Sequence, residues 1–231
     1  MKELNLEQKK EMYSYLTAFV SDNKKSKIDE IVLSRTRYLT VVLEDIFQSQ
    51  NASAVLRTCD CFGIQDVHII ENRYPYEINP DVELGSAKWL NMNRYNTSEH
   101  NTLEAFNSLR EKGYKIVATS PHKNDLLIQN LAIDNKIAIV FGTEREGLSE
   151  IALDNADAFV KIPMYGFTES FNISVSAAMS VFYLSEKIRN AGIQWQLEEE
   201  EVFDIKLNWI TNVIRMADQV KEDFLYKKGW K

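Results

Sequence analysis

The 231-residue chain carries 27 Lys/Arg against 34 Asp/Glu, a formal net charge of −7, and is 45% hydrophobic and 26% charged. That balance belongs to an ordinary globular protein and argues against disorder and against indiscriminate nucleic-acid binding, whose affinity rests on neutralising phosphates. Two cysteines and three histidines argue against a protein-bound metal.

The first twenty residues mix Lys and Glu with no apolar core, and no apolar run reaches bilayer length. The expectation is a cytoplasmic chain with neither leader nor membrane span. Charge is unevenly spread: residues 1–40 hold eight Lys/Arg against six Asp/Glu, residues 41–186 eleven against twenty, residues 187–231 eight against eight. Lys24, Lys25, Lys27, Arg35 and Arg37 thus give the front end a local positive sign.

Residues 7–21 place Met12, Tyr15, Leu16, Phe19 and Val20 on one helical stripe, and a second short helix is expected over 26–35. The run 38–43 (YLTVVL) is apolar enough for a strand buried on both faces. A helix over 51–62 follows, capped by Asn51 or Ser53 and ended by Gly63. The pattern then repeats: strand 66–70, helix 101–112, strand 115–120, strand 136–141, helix 149–155 and strand 159–162. Strands alternating with helices predict a mostly parallel sheet covered on both faces. Residues 71–101 are the least regular, with room for a short helix near 80–84. His68, inside an apolar strand, reads as a hydrogen-bonded core imidazole; His100, His122, Cys59 and Cys61 read as structural. After Gly192 the alternation stops and 200–226 reads as one helix. The division expected is a helical extension over 1–36, an α/β core over 37–191 and a helical extension over 192–231.

Three strand-end loops carry polar residues that packing does not require. QNASAVLRTCDCFG starts a helix that brings Arg57 nearly two turns in, about 240° round from Asn51. FGTEREGLSE spaces Gly142 and Gly147 like a phosphate loop, but Leu148-Ser149 stands where a Walker motif needs Lys-Ser/Thr, and no G-x-G-x-x-G occurs. In KIPMYGFTESFNISV, Pro163 ends the sheet, Gly166 permits a turn, and Ser170 and Asn172 precede a helix with Ile173, Ala177, Val181, Leu184 and Ile188 at helical spacing. Plain capping accounts for Ser170 and Asn172 as well as ligand binding does. A helix N-terminus at the carboxyl end of a strand is where open α/β sheets bind ligands.

Taken in order, LEDIFQSQNASAVLRTCDCFG, IVFGTEREGLS and KIPMYGFTESFNISVSAAMS resemble the three motifs of the SPOUT-superfamily RNA ribose 2′-O-methyltransferases, in their TrmH-like branch, over roughly residues 37–191. The resemblance implies S-adenosylmethionine as cofactor and a C-terminal trefoil knot. It also implies a homodimer whose active site draws on both subunits. It implies Arg57, Asn51, Glu144, Ser170 and Asn172 as catalytic, and Thr119, Gly142, Glu144, Gly147, Ile162, Met164 and Phe171 around the cofactor. Short flanking helices resemble members acting on guanosine 18 of the tRNA D-loop more than those acting on ribosomal RNA, which commonly carry a separate N-terminal domain. On that reading Lys24, Lys25, Lys27, Arg35 and Arg37 track the RNA backbone. Ribosomal RNA as substrate, and a non-catalytic RNA-binding module on the same scaffold, stand as alternatives. Methyl transfer needs in-line approach of a ribose oxygen, and positioning carries most of the rate. Family accounts give the deprotonation to the arginine, yet a guanidinium holds its proton firmly in proteins, so stabilising alkoxide charge and gripping phosphate is the role expected of Arg57.

Overall fold

The computed structural model describes residues 4–77, 79–120 and 126–230; His122 lies outside them. The chain divides into two compact units, Thr36–Trp195 and the pair Met1–Arg35 with Gln196–Lys231.

In the first unit, strands β1 (Leu39–Glu44), β2 (Asp66–Ile70), β3 (Asn91–Tyr95), β4 (Tyr114–Thr119), β5 (Leu126–Leu127), β6 (Lys136–Phe141) and β7 (Ala158–Lys161) form one sheet. Every pairing is parallel, in the order β3-β2-β1-β6-β4-β7-β5. Helices α3 (Ser49–Cys61) and α7 (Ile173–Asn190) accompany one face, α5 (Asn101–Glu111) and α6 (Glu150–Asp154) the other, with a short turn of helix α4 (Pro80–Glu83) after β2. Because side chains alternate along a strand, β6 sends Ile137, Ile139 and Phe141 to the α3/α7 face and Ala138 and Val140 to the other. All six residues of β1 are buried, as expected of a central parallel strand.

Chain order reverses across the sheet. β1 lies between β2 and β6, and β6 is inserted between β1 and β4, which in turn pairs with β7. The loops leaving β1, β4, β6 and β7 therefore emerge from neighbouring strands at one end. Such reversals are where α/β sheets bind ligands.

Four elements depart from the sequence expectation. β3 (NMNRY) has no apolar alternation because it is an edge strand. It is held by side-chain ties, Asn91 Nδ2 to Asp66 Oδ1 at 2.9 Å and Arg94 Nε to Glu71 Oε1 at 2.7 Å, in place of a buried face. β5, two residues long on the opposite edge, is too short to give a period. Helix α3 begins two residues before Asn51, with Gln48 at its N-cap and no side-chain cap, so neither Asn51 nor Ser53 caps it. The expected helix over 200–226 is two, α8 (Glu199–Val213) and α9 (Ala217–Lys228). They are parted where Ile214 turns extended and Met216 enters the left-handed region at φ 60°, with no Gly or Pro to signal the break.

The second unit combines α8 and α9 with α1 (Leu6–Thr17) and α2 (Asp22–Ile31). Asn5 and Gln8 form a capping box on α1, and Ser21 caps α2. Lys9 is buried, yet its ammonium meets Glu200 at 2.9 Å and Asp204 at 2.7 Å, so the charge is compensated. Trp209 fills the interior with the buried Arg35 guanidinium 4.9 Å over its ring. Among the described residues no helix is long and apolar enough to cross a membrane.

His68 on β2 is 1% exposed, and its Nδ1 lies 3.0 Å from the Tyr95 hydroxyl on β3. Burial pushes the imidazole down to about 4. The unfolded chain therefore takes up this proton first, near the ordinary value of about 6.5. Stability from the neutral ring is complete above about pH 6.5 and is lost as pH falls through about 4, an effect on the order of 3 kcal/mol. Urea melts of the wild type and His68→Gln between pH 7 and 4 should show the two stabilities converging as pH falls; parallel curves would refute the buried-neutral state.

Candidate functional site

Asn51, third residue of α3 and in its first turn, is 9% exposed. Its Nδ2 donates to Gln48 Oε1 at 2.9 Å and to Glu144 Oε1, and its Oδ1 accepts from Asn172 Nδ2 at 3.2 Å. One amide thus joins the loops after β1, β6 and β7. Asn172 is the N-cap of α7: its Oδ1 accepts from Ser174 N at 2.9 Å and Ser174 Oγ at 2.6 Å while its Nδ2 faces Asn51. Capping and site-building are done by the two ends of the same side chain.

The loop after β6 is closed on itself. Thr143 N donates to Gly147 O at 2.9 Å and Gly147 N to Thr143 O at 3.1 Å. Gly147 has φ 73°, which favours glycine, and a Cβ on Gly142 would lie 2.2 Å from the Gly147 carbonyl oxygen. The close approach that requires Gly142 is thus to the chain's own backbone. Beside it opens a cleft of about 370 Å³, the size of a small-molecule site. Thr119, Gly142, Glu144, Gly147, Ile162, Met164 and Phe171 all line it, as do Ser170 and the wholly buried Ser180, whose Oγ has no hydrogen-bond partner among the described residues. Thr119 turns its hydroxyl to Val140 O at 2.8 Å, tying β4 to β6 at the mouth.

Arg57 is bonded to none of these residues. It is exposed on α3 and forms no hydrogen bond or ion pair with a described residue, so its guanidinium is open to a ligand's charge. Ser170 is exposed on the loop before α7 and does not cap that helix. Lys24, Lys25 and Lys27 are on α2, the last two exposed. Two residues of the basic group are differently placed than expected: Arg35 is 2% exposed against Trp209, and Arg37 Nε donates to Asp66 Oδ2 at 2.8 Å. Both guanidiniums are engaged inside the fold and are withdrawn from a phosphate-tracking face.

Sequence reasoning passed over Glu44 and Asp45 at the end of β1. Glu44, 1% exposed, accepts from Thr102 Oγ1 at 2.7 Å, Ser149 N at 2.9 Å and Ser149 Oγ at 2.8 Å, pinning the residue that caps α6. Asp45, at φ 53°, accepts from the backbone N–H of Asn72 at 2.7 Å and of Arg73 at 2.9 Å. The signal was an acidic pair closing the apolar run 41–43. A second cavity, of about 430 Å³, is lined by Glu44, Asp45, Arg73, Ser149 and Glu150 and shares Thr143, Glu146, Gly147 and Leu148 with the first.

The profile of the SpoU rRNA Methylase family matches residues 38–182. The tRNA (guanosine(18)-2′-O)-methyltransferase of Borreliella burgdorferi is 46% identical over 200 residues, 87% of this chain and 90% of that one. A crystal structure of the A. aeolicus TrmH/SpoU tRNA modifying enzyme aligns with a TM-score of 0.75 at 25% identity, over 84% of this chain and 98% of that one. The SpoU methyltransferase AviRb from Streptomyces viridochromogenes, in complex with the cofactor AdoMet, shares the fold at a TM-score of 0.57 and 20% identity, over 70% of this chain and 62% of its own. The likeness read from three motifs therefore extends over the whole α/β unit: the chain belongs to the SpoU rRNA Methylase family.

Proposed function

We propose that this protein is an S-adenosylmethionine-dependent RNA methyltransferase acting on the ribose 2′-hydroxyl of guanosine 18 in the tRNA D-loop. The observation that carries the reading is the Asn51 amide bonded to both Glu144 and Asn172 at the rim of the 370 Å³ cleft. The 46% identical relative of that activity supports the choice of substrate. The cleft suits the cofactor: Ile162, Met164 and Phe171 offer apolar surface to an adenine, and the backbone around Gly142 and Gly147 offers polar groups to its edge.

When bound, S-adenosylmethionine supplies a methyl group on a sulfonium. The second lone pair of Asn51 Oδ1 and the second hydrogen of Asn172 Nδ2 hold the ribose, and Glu144 fixes the orientation of the Asn51 amide. Ser170 sits where the loop before α7 borders the cleft. Arg57 stabilises the negative charge left on the ribose oxygen as its proton passes to solvent water, and grips a phosphate beside it. Lys24, Lys25 and Lys27 follow the RNA backbone. A cytoplasmic home, the knotted chain path, and the functional division into a catalytic core and helical extensions belong to the same reading. So does a paired assembly: Val175 and Phe182 are 45% and 55% exposed on α7, apolar side chains outside the stripe of Ile173, Ala177, Val181, Leu184 and Ile188 that the core buries.

Three outcomes test this. Calorimetry should detect S-adenosylmethionine binding at micromolar affinity, abolished in Gly142→Ala, whose Cβ displaces the 143–147 turn; absence of binding to the wild type would sink the proposal. Single-turnover methylation of a tRNA transcript, with the product located by mass spectrometry, should mark guanosine 18 and leave ribosomal RNA fragments untouched. Arg57→Ala should slow the step about 10²- to 10³-fold. A kinetic pKa near neutrality that vanishes in Arg57→Lys would instead make the arginine the base. Sedimentation should give twice the chain mass of 26.7 kDa, and a monomer that still methylates would remove the shared active site.

A further inference from the structure

Two aromatic rings stand in solvent beside the amide cluster and belong to neither face of the core. Phe47, 69% exposed, lies on the loop between β1 and α3, and Tyr74, 38% exposed, on the loop after β2. They meet edge to face, with centroids 5.1 Å apart and planes at 69°. An edge-to-face pair occupies one face of one ring and leaves apolar surface in water, which is unfavourable unless something covers it.

Both loops are fastened to the site. Asp45, a non-glycine residue at φ 53°, takes the N–H groups of Asn72 and Arg73 immediately before Tyr74. Such a conformation is unfavourable and persists where the surroundings over-determine it. Gln48, next to Phe47, accepts from Asn51, and Arg73, next to Tyr74, pairs with Glu146 on the loop of Glu144. Each ring is one residue from a group bonded into or beside the Asn51–Glu144–Asn172 set.

We propose that Phe47, buttressed by Tyr74, is a stacking platform for an unpaired base of the RNA, within one nucleotide of the ribose held at Asn51. The inference rests on the RNA-methyltransferase reading above. A ribose at the amide cluster brings its own base and those of its neighbours within one internucleotide step of these rings. Unpaired loops are commonly held by stacking on aromatic side chains, a contact every base can make. The chain neighbours of the rings, Gln48 and Arg73, are polar, and Arg73 is paired with Glu146, which suits a planar base with a polar edge better than a broad apolar protein face.

The test uses the full chain without S-adenosylmethionine and a tRNA transcript carrying 2-aminopurine next to guanosine 18. Wild type should quench the fluorophore on binding. Phe47→Leu, which keeps apolar bulk without a π face, should lose the quenching and bind roughly ten- to hundredfold more weakly, and Phe47→Trp should restore both. A wild type that leaves the fluorophore unquenched overturns the platform, as does equal affinity and quenching in Phe47→Leu. A Phe47→Leu chain with altered sedimentation mass assigns the ring to a protein contact and overturns it too. Because the readout is binding, a chain that stacks the base yet transfers no methyl defeats only the catalytic reading.

Discussion

A buried side-chain amide has two hydrogens and a carbonyl oxygen to satisfy, and leaving one unmet costs about 1–3 kcal/mol. Asn51 meets all three obligations with Gln48, Glu144 and Asn172, the last two 93 and 121 positions further along the chain. No local arrangement supplies such partners. They converge because β6 is inserted beside β1, so that the loops after both strands open side by side, and because α7 crosses back over the face that α3 also covers. The sheet order and the amide are two descriptions of one constraint: move the order, and Asn51 becomes a buried polar group without partners.

Much of the scaffold was legible because its central strands are continuous apolar runs. The runs in β1, β4 and β6 are buried on both faces and bounded by polar or glycine-containing turns, and they alternate with helices of the right length to cross over. β3 was not legible, since an edge strand held by Asn91–Asp66 and Arg94–Glu71 needs no apolar period. The break between α8 and α9 was not legible either. Met216 occupies a conformation that glycine or asparagine usually marks, and the sequence carries neither there. Arg35 shows the limit of charge counting: its sign was read from the chain, but its stacking on Trp209 depends on helices joined only by folding.

The site residues divide in the same way. Gly142 and Gly147 announce themselves through backbone demands that other residues cannot meet. Asn172 was ambiguous between cap and ligand because both are true of it, its oxygen serving the helix and its nitrogen the cluster. Glu44 was silent, because the meaning of a buried carboxylate lies in Thr102 and Ser149, 58 and 105 residues away. A motif specifies which side chains a family needs, and only the folded chain shows which of them hold one another.

That mutual holding suits the chemistry. Methyl transfer from a sulfonium leaves a neutral thioether, so the cofactor side needs shape more than charge, while on the ribose side the hydroxyl sheds its proton and negative charge gathers on the oxygen before the new bond consumes it. The 143–148 loop separates these demands. Its glycines and Leu148 line the apolar cleft, Glu144 reaches Asn51, and Glu146 reaches Arg73 at the second cavity. The backbone pairing of Thr143 with Gly147 and the anchoring of Ser149 by Glu44 keep this wall from flexing independently on its two sides. The two cavities therefore share one braced wall, so the loop that borders the cofactor's cleft also fixes where Glu144 meets Asn51.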